Sequence, residues 1–333
     1  MKKVLSIVLA LIMLLSFAAC GDNADANTNT NGNNNAADNT DKVYEIGICQ
    51  LVQHSALDEA TRGFKEALTE KLGDNVKFDE QNASGEATNC TTITSKFVSD
   101  KVDLIMANAT DALAAASQAT ADIPVVATSI TDYATALGIE NWSGKTGFNV
   151  TGTADLAPLA EQAAMIKELV PAAKNVAIIY CSAEKNSKYQ ADVITSELEA
   201  IGITAKSYTF VDTNDVTSVA QQIVADAPDA IFVPTDNTCA SNSEALNNVF
   251  EPAKIPVIAG EEGICKGCGI ATLSISYYDI GYKAGEMAYD ILVNGKNPAD
   301  MEIEYAKDLT KKYMADRAAT IGVTIPEGYE PIA

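Results

Sequence analysis

The chain contains 333 residues, more than the roughly 100–200 residues of a typical single domain, so two lobes are expected. It has 45 acidic residues against 23 basic ones, and its formal net charge is −22 at pH 7. This excess of negative charge argues against a nucleic-acid partner, because phosphate binding requires a basic face.

The first twenty residues, MKKVLSIVLALIMLLSFAAC, have the pattern of an export signal. The apolar run is shorter than the roughly 20 residues of a membrane-spanning helix, and no later segment reaches that length. Small residues stand directly before Cys20, in a pattern similar to that of bacterial lipoproteins. We therefore predict that residues 1–20 are a signal peptide and that Cys20 is lipidated. The alternative is ordinary cleavage nearby, with Cys20 as an incidental thiol.

Residues 21–42, GDNADANTNTNGNNNAADNTDK, contain almost no apolar side chain larger than Ala. Such a composition cannot build a core, so this Asn-rich segment is predicted to be a disordered tether. As a flexible coil it would reach about 25 Å, enough to hold a folded body just off a membrane. We expect the protein to be attached to the outer face of the bacterial cell membrane through its lipid anchor only.

Six further cysteines follow, and an exported protein can form disulfides whose pairing the sequence leaves open. The close pair in CKGC favours a local disulfide or two free thiols over a metal site. A second close pair and a nearby histidine are both missing. No metal and no cofactor is expected. The six residues are Cys49, Cys90, Cys181, Cys239, Cys265 and Cys268.

From Val43 onward, short apolar runs alternate with amphipathic patterns. VYEIGIC predicts a strand, and SALDEATRGFKEALTEKL predicts a helix that begins at Ser55, with Asp58 at capping-box spacing. Strands at VKF, DLIMA, IPVVATS and GFNVTG alternate with helices over residues 89–99 and 111–120. This alternation predicts a parallel α/β sheet.

The second half of the chain repeats this order about 130 residues later. DAIFVPTDNTCA from Asp229 corresponds to DLIMANATDALAA from Asp103, and IPVIA at Pro256 corresponds to IPVVA at Pro124. A steady offset indicates a duplicated, doubly wound α/β lobe.

We expect two doubly wound parallel-sheet lobes joined by a multi-strand hinge, because the C-terminal section adds elements beyond the second repeat. The N-terminal lobe is predicted to comprise residues 43–150 plus 278–301, and the C-terminal lobe residues 151–277 plus 302–333. In open α/β sheets, ligands bind at the carboxyl ends of the strands. NATD, after the third strand, and PTDNT, after its counterpart, are therefore predicted to face each other across one cleft.

The segments GICQLVQHSALDEATRGFKEAL, QNASGE, NVTGTADLAP, PTDNT and YYDIGYKAGEMAYDIL together resemble ABC-transporter substrate-binding lipoproteins of the tryptophan/tyrosine-binding type. The resemblance runs from Val43 to about Pro326. It implies the type I periplasmic-binding-protein architecture, an aromatic amino acid as ligand, and a permease and its ATPase as separate chains. A monomer is expected. The segment GEEGICKGCGIATLS departs from the Ser/Thr-containing loop of that family, which leaves the side-chain preference at this edge of the pocket open.

The carboxylate of an amino-acid ligand can bind at helix N-termini without a basic side chain. Hydroxyl and amide side chains at these helix starts could add direct bonds to the ligand. The alternative is that each of them only caps its own helix. The candidates are Gln53, Ser55, Thr110, Asn186 and Ser187.

The ammonium group of such a ligand requires a carboxylate inside the cleft. Asp236 in PTDNT is the first candidate and Asp132 in SITDYA the second, although Asp236 could serve only as the cap of the following helix. Further expected contacts are Asn237 and Thr238 and, by the family resemblance, Asn82 and Asn149.

For the ligand's side chain, Tyr277 and Tyr278 are the leading contacts, because packing of two rings adds stabilisation beyond burial. His54 stands at the cleft edge, where the resembling family has the same residue type. Ligand contact and a hydrogen-bonded bystander role are both open for it. The other aromatic candidates, for which core or loop packing is the alternative, are Phe148, Tyr133 and Trp142.

The sequence gives little support for catalysis, since it has a single histidine and lacks the nucleophile-elbow, Walker A and dinucleotide-binding motifs. It predicts the extracytoplasmic binding component of an ABC importer, which captures its ligand by hinge closure. Two alternatives stay open. The same fold could bind a sugar, a nucleoside or a signalling molecule, or the chain could be an extracellular hydrolase.

Overall fold

Two mostly parallel β-sheets organise the computed structural model, which describes residues 42–332. The expected α/β class is confirmed. Within the described residues, no helix has the length and apolar character needed to cross a membrane. The predicted signal peptide, the lipidation of Cys20 and the tether up to residue 41 lie outside the described residues.

The first sheet has six strands, all paired in parallel. They are β1 (Tyr44–Gln50), β2 (Val76–Asn82), β3 (Leu104–Asn108), β4 (Val125–Ile130), β5 (Val150–Ala154) and β11 (Glu304–Tyr305). Their order in the sheet is β11-β5-β4-β3-β1-β2. The helices that accompany this sheet are α1 (Ser55–Leu72), α2 (Ala87–Asp100), α3 (Thr110–Ala119), α4 (Tyr133–Leu137) and α11 (Tyr277–Leu292).

The second sheet has seven strands and is parallel except for one pair. They are β6 (Asn175–Cys181), β7 (Thr204–Phe210), β8 (Ala230–Val233), β9 (Val257–Ala259), β10 (Ala271–Ser274), β12 (Thr310–Tyr313) and β13 (Glu330–Pro331). Their order is β13-β12-β10-β9-β8-β6-β7, with β12 antiparallel to β10. The accompanying helices are α5 (Leu159–Leu169), α6 (Lys185–Ala200), α7 (Val216–Asp226), α8 (Asn237–Ser241), α9 (Ser243–Phe250), α10 (Glu262–Cys268) and α12 (Ala315–Ile321).

The strand order confirms the predicted duplication. In the first sheet it runs β2-β1-β3-β4-β5, and in the second it runs β7-β6-β8-β9-β10. β6 (NVAIIYC) and β7 (TAKSYTF) occupy the places in the second sheet that β1 and β2 occupy in the first. The central strands β3 and β8 are buried along their whole length, because helices cover both faces of a parallel sheet.

The chain crosses between the described sheets three times: after β5, from β10 into α11, and from β11 to β12. The expected lobe boundary after residue 150 falls inside β5, yet the whole of β5 belongs to the first sheet, where it pairs with β4. Residues 304 and 305, expected in the second lobe, form β11 beside β5. The predicted strand GFNVTG spans the expected boundary, and β11, with two residues, carries too weak a pattern to be assigned to one sheet from sequence.

Helix α11 is held to the first lobe by unusually close contact with α1. A Cβ atom at Gly281 would collide with the carbonyl oxygen of Ala60, and one at Gly63 would collide with that of Tyr278. Glycine permits this approach because it has no side chain. The contact fixes the start of α11, where the chain returns from the second sheet.

Apolar layers cover both faces of each sheet, and one layer joins the two lobes. Ala56 and Ala60 of α1 belong to the same buried cluster as Ile178 and Phe232 of the second sheet. All six cysteines of the described residues are unpaired and buried in these layers. Of the alternatives that the sequence left open for the CKGC pair, the structure contains the two free thiols.

Candidate functional site

The carboxyl ends of strands from both sheets converge on one small cavity, which we call the interlobe cavity. The first sheet supplies residues near the ends of β1, β4 and β5, and the second sheet supplies residues near the ends of β6, β8, β9 and β10. Open parallel α/β sheets place their ligands at this edge. The cavity is lined by His54, Leu57, Ser129, Thr131, Asp155, Asn186, Thr235, Asp236, Asn237, Ala240, Glu261 and Tyr277.

The interlobe cavity has a volume of about 10 Å³, on the scale of a single water molecule. A larger ligand can enter it only when the lobes part or the lining side chains move. A groove of about 390 Å³ adjoins the cavity and shares Glu261 and Tyr277 with it. Ser55 and Tyr278 line this groove, so it provides an approach to the cavity between α1, α10 and α11.

Three buried carboxyl groups line the cavity, and no lysine or arginine is among its lining residues in the described chain. Asp155 is 5 % exposed, Asp236 1 % and Glu261 2 %. Burial raises the pKa of all three groups, to about 7 for Asp236 and for Glu261. Buried acids without a cationic partner favour a ligand that brings a positive charge.

Asp236 is held by two backbone donors at the start of α8. Its Oδ1 accepts from the backbone N–H of Cys239, and its Oδ2 accepts from that of Cys181, each at 2.7 Å. The Ser187 hydroxyl also bonds the carboxyl group and lowers its pKa, against the larger effect of burial. Asp236 therefore does cap its helix, the alternative that the sequence left open, and it lines the cavity as well.

Glu261 plays the matching part at the start of α10. Its carboxyl oxygens accept from the backbone N–H groups of Gly263 and Ile264, each at 2.5 Å. Asp155, at the end of β5, has a different environment. Its Oδ1 accepts from the Thr131 hydroxyl at 3.1 Å, and its Oδ2 accepts from the Tyr277 hydroxyl at 2.8 Å.

A fourth buried acid, Glu184, lies just outside the cavity and holds the start of α8. Oε1 accepts from the backbone N–H and the hydroxyl of Thr238, at 2.9 and 2.8 Å. Oε2 accepts from the backbone N–H and the side-chain amide of Asn237, at 2.9 and 2.7 Å. Burial and then the charge of Glu184 raise the pKa of Asp111, which belongs to the NATD segment at the start of α3.

His54 makes a direct hydrogen bond between the lobes. Its Nε2 lies 3.2 Å from Asn237 Oδ1, and because that oxygen can only accept, Nε2 carries the proton. Nδ1 is buried and has no hydrogen-bond partner among the described residues. Burial lowers the pKa of His54 by more than the Asn237 bond raises it, so the ring is neutral at pH 7.

Two further contacts bring the lobes together. The side-chain amide of Gln190 in α6 donates to the Thr131 hydroxyl at 3.3 Å. Gly263 of α10 lies so close to Ser55 of α1 that a Cβ atom at residue 263 would collide with the serine hydroxyl. These contacts describe lobes that have closed on the cavity.

Five of the predicted site residues line the interlobe cavity: His54, Asn186, Asp236, Asn237 and Tyr277.

Five more lie near it. Ser187 and Thr238 stand directly behind the cavity, where their hydroxyls bond Asp236 and Glu184. Thr110 is buried at the start of α3, at the same edge of the sheet, without lining the cavity. Ser55 and Tyr278 line the adjoining groove. The Tyr278 ring packs beneath Arg62, and its hydroxyl donates to Glu66, so it faces α1.

Two predicted residues stand at exposed turns rather than at the cavity. Gln53 is exposed before α1. Asn82 is exposed at the end of β2, where its side-chain oxygen accepts from the backbone N–H of Ser84 at 2.7 Å. Gln53 follows β1 and Asn82 ends β2, and neither side chain lines the cavity.

Asp132 and Asn149 also do not reach the cavity. Asp132 caps α4 by accepting from the backbone N–H of Thr135 at 2.7 Å. The Asn149 amide donates to the carbonyls of Thr120 and Ile123, at 3.1 and 2.7 Å. Asn149 precedes β5, and the amino end of a parallel strand lies at the edge opposite the carboxyl ends that form the cavity.

The remaining aromatic candidates do not line the cavity either. Tyr133 is buried and stacks with Trp142, with ring centroids 6.3 Å apart. Phe148 is 37 % exposed. All three residues therefore pack in the core or in loops, which was the alternative to ligand contact in the sequence analysis.

Sequence reasoning missed Asp155, Glu261, Thr131 and Glu184. A usable signal existed for two of them, because each is the first acidic residue after an apolar strand that ends toward the cleft. Asp155 follows NVTGTA, and Glu261 follows IPVIAG. Glu261 also occupies the position that corresponds to Ser129 in the first repeat, and both residues line the cavity.

A family model described as ABC transporter substrate binding protein matches residues 45–329. A protein of Clostridioides difficile strain R20291, named a tyrosine-binding protein, is 37% identical over 306 residues. The match covers 91% of this chain and 87% of that protein.

Among solved structures, an ABC domain from Streptococcus pneumoniae in complex with L-Trp is 31% identical, with a TM-score of 0.82. That match covers 87% of this chain and 100% of the other. The ligand-free, open structure of CD0873, a substrate-binding protein with adhesive properties from Clostridium difficile, is 34% identical with a TM-score of 0.67, covering 87% and 99%.

Proposed function

The chain belongs to the ABC transporter substrate binding protein family, and from this premise we propose that it captures an aromatic amino acid in the interlobe cavity. As a member of that family it is a substrate-binding protein that acts outside the cytoplasm and works with a membrane permease. Its fold is the type I periplasmic-binding-protein architecture that the sequence resemblance implied.

The observation that carries the ligand class is the chemistry of the interlobe cavity. Three buried carboxyl groups offer partners for an ammonium group. The Tyr277 ring is the only Phe, Tyr or Trp ring among the lining residues of the described chain, and it lies at the start of α11. Tyrosine, tryptophan and phenylalanine are the amino acids that would pack a second ring against it. The names of the relatives, a tyrosine-binding protein and an L-Trp complex, support the same class.

Capture proceeds by closure of the lobes. The contacts from His54 to Asn237 and from Gln190 to Thr131 connect the two lobes around the cavity. A ligand that touches both lobes gains contacts only in the closed state, so its binding shifts the equilibrium toward closure. Opening of the same hinge returns the ligand unchanged to the permease, and the protein itself performs no reaction.

Thermal unfolding of the purified protein tests this proposal. A ligand at about 100 times its Kd stabilises the folded protein by about 2.7 kcal/mol. Tyrosine, tryptophan or phenylalanine should therefore raise the Tm, while other amino acids, nucleosides and common sugars leave it unchanged. If only sugars or nucleosides stabilise the protein, the aromatic assignment is wrong. Recovery of a chemically altered ligand would contradict the absence of turnover.

We also propose that Cys20 carries a lipid that attaches a monomeric protein to the membrane. The small residues before Cys20 and the apolar run that precedes them support this part of the proposal. Cells that express the Cys20→Ser variant should release the protein from the membrane fraction, and fatty-acid labelling should be lost. Membrane association that survives the substitution would contradict lipid anchoring at this residue. Size-exclusion chromatography with light scattering tests the monomer.

A further inference from the structure

We propose that Asp155, rather than Asp236 or Glu261, binds the ammonium group of the ligand. The hydroxyl groups of Tyr277 and Thr131 position the Asp155 carboxylate for this contact. This inference rests on the proposed function, because it assigns one part of an amino-acid ligand to one residue of the interlobe cavity. It follows from a comparison of the donors that already occupy the three carboxyl groups.

The carboxyl groups of Asp236 and Glu261 accept hydrogen bonds from backbone N–H groups, whose direction is fixed by the strand and helices that carry them. Cys181 and Cys239 donate their N–H groups to the two oxygens of Asp236, and these bonds join the end of β6 to the start of α8. Glu261 has the same arrangement at the start of α10. A capping carboxylate is held in one orientation by its helix, and its strongest bonds are already made.

The Asp155 carboxyl group accepts from the hydroxyl groups of Thr131 and Tyr277 and from its own backbone N–H, and none of these donors caps a helix through it. A hydroxyl can rotate and can accept a hydrogen bond as well as donate one. The hydroxyl oxygens of Thr131 and Tyr277 can therefore each turn a lone pair toward an arriving ammonium group. The Asp155 carboxylate accepts a further hydrogen bond from the same ammonium group. Among the three acids, this is the arrangement that a cation can complete without breaking a helix cap.

The charge balance around Asp155 points the same way. The group is 5 % exposed, and no lysine or arginine lines the cavity within the described residues. A buried carboxylate without a cationic partner is costly, and a charge-assisted hydrogen bond to an ammonium group offsets that cost. Burial raises the pKa of the Asp155 carboxyl group despite its hydrogen bonds.

The location of this cluster links recognition of the ligand to movement of the lobes. Asp155 directly follows β5, where the chain leaves the first sheet, and Tyr277 opens α11, where the chain returns. Thr131 receives the hydrogen bond from Gln190 of the second lobe. An ammonium group at Asp155 therefore sits between two of the crossing segments that form the hinge.

The test compares ligands with and without the ammonium group. L-tryptophan and L-tyrosine are titrated by calorimetry beside their des-amino analogues, indole-3-propionate and 3-(4-hydroxyphenyl)propionate. The protein is the full chain purified in mild detergent, as the original sequence and as the Asp155→Asn variant. Asp155→Asn should reduce the affinity for the amino acid by at least about 30-fold and the affinity for the des-amino analogue by less than about threefold. The preference for the amine-bearing ligand should therefore collapse.

Two further variants keep the inference open to refutation if Asp155→Asn folds poorly. Asp236→Asn should lower stability, because it disturbs a helix cap, but the affinity ratio between the amino acid and its des-amino analogue should stay within about threefold. Tyr277→Phe removes one positioning hydroxyl, and it should reduce the same ratio by roughly three- to tenfold. Asp229→Asn is the matched control, because Asp229 accepts from two backbone N–H groups far from the cavity, at the start of β6.

The inference is overturned if Asp155→Asn keeps the preference for the amine, or if Asp236→Asn is the variant that loses it. Equal losses for both ligands in Asp155→Asn would show a purely structural role and would also overturn it. These results are distinct from failure of the proposed function, in which the original protein binds neither aromatic amino acid.

Discussion

His54 Nε2 lies 3.2 Å from Asn237 Oδ1, and this hydrogen bond joins the residue before α1 to the first residue of α8. The two residues are 183 positions apart in the sequence and belong to different lobes. Both residues also line the interlobe cavity, so we expect their bond to break when the lobes part. It can therefore report on closure in the variants that follow.

A double-mutant cycle should detect coupling between His54 and Asn237 in ligand binding. His54→Ala and Asn237→Ala should each weaken binding of the aromatic amino acid, and the double variant should lose less than the sum. The expected coupling is about 0.5–1.5 kcal/mol, the usual contribution of one hydrogen bond. Isothermal calorimetry measures it. Asn294→Ala, at an exposed helix end, serves as the control, and strict additivity would contradict the bond across the lobes.

The Gly263→Ala substitution should hinder closure, because its Cβ atom would collide with the Ser55 hydroxyl of the other lobe. Overpacking of this kind costs about 1–3 kcal/mol, so the affinity should fall by about tenfold or more. Addition of Ser55→Ala to the same chain should restore part of the loss. Small-angle scattering with saturating ligand provides the structural readout, and a radius of gyration as small as that of the original protein would refute the collision.

The stability of the ligand-free protein should rise as the pH falls from 8 toward 6.5. Burial raises the pKa of Glu261 to about 7, whereas in the unfolded chain it returns to about its usual 4.5. In this window the folded state binds more protons than the unfolded state, so protonation favours folding. Below about pH 6.5 the lowered pKa of His54 acts in the opposite direction.

Thermal unfolding of the Glu261→Gln variant provides the check. Its Tm should depend less on pH between 8 and 6.5 than that of the original protein, because the variant lacks the titrating group. Asp229→Asn is the control, since backbone hydrogen bonds hold the pKa of Asp229 below its usual value and it stays ionised throughout this window. An unchanged slope in Glu261→Gln would show that another group is responsible.

The cysteine thiols should react slowly in the native protein. Burial raises the pKa of Cys239, Cys265 and Cys268, to about 12 for Cys268, and the thiolate is the reactive form. Iodoacetamide at pH 8 should label none of these residues within minutes, whereas all should be labelled in urea. Mass spectrometry counts the labels. Labelling in urea that omits Cys265 and Cys268 would reveal a disulfide between them.

Much of the fold could be predicted from the sequence because the chain states its pattern twice. Segments such as DLIMA and DAIFV recur about 130 residues apart, which predicted that the two sheets have the same strand order. The observed strand orders agree. The crossings were harder to place, because the expected boundary divided the predicted strand GFNVTG and β11 has only two residues. The pairing of α11 with α1 was not predicted, because the apolar stripe of α11 indicates that the helix is buried but not which element it packs against.

Site residues that follow a predicted strand were identified correctly more often than residues proposed only from the family resemblance. Asp236 and Tyr277 follow β8 and β10, and both line the cavity. Asn149 precedes its strand, and this position alone could have placed it at the opposite edge. Asp155 was overlooked although it follows β5, because the expected lobe boundary after residue 150 divided the predicted strand GFNVTG, so the carboxyl end of that strand was not assigned to the cleft.

The packing of α11 on α1 means that the duplicated halves cannot be taken apart. A polypeptide that stopped at residue 155 would leave the glycine face of α1 uncovered, and the complementary fragment would carry α11 with nothing to dock on. Each half thus depends on its sibling for completion. The repeated halves are therefore interlocked, because a helix that follows the second repeat packs on the first helix of the first repeat.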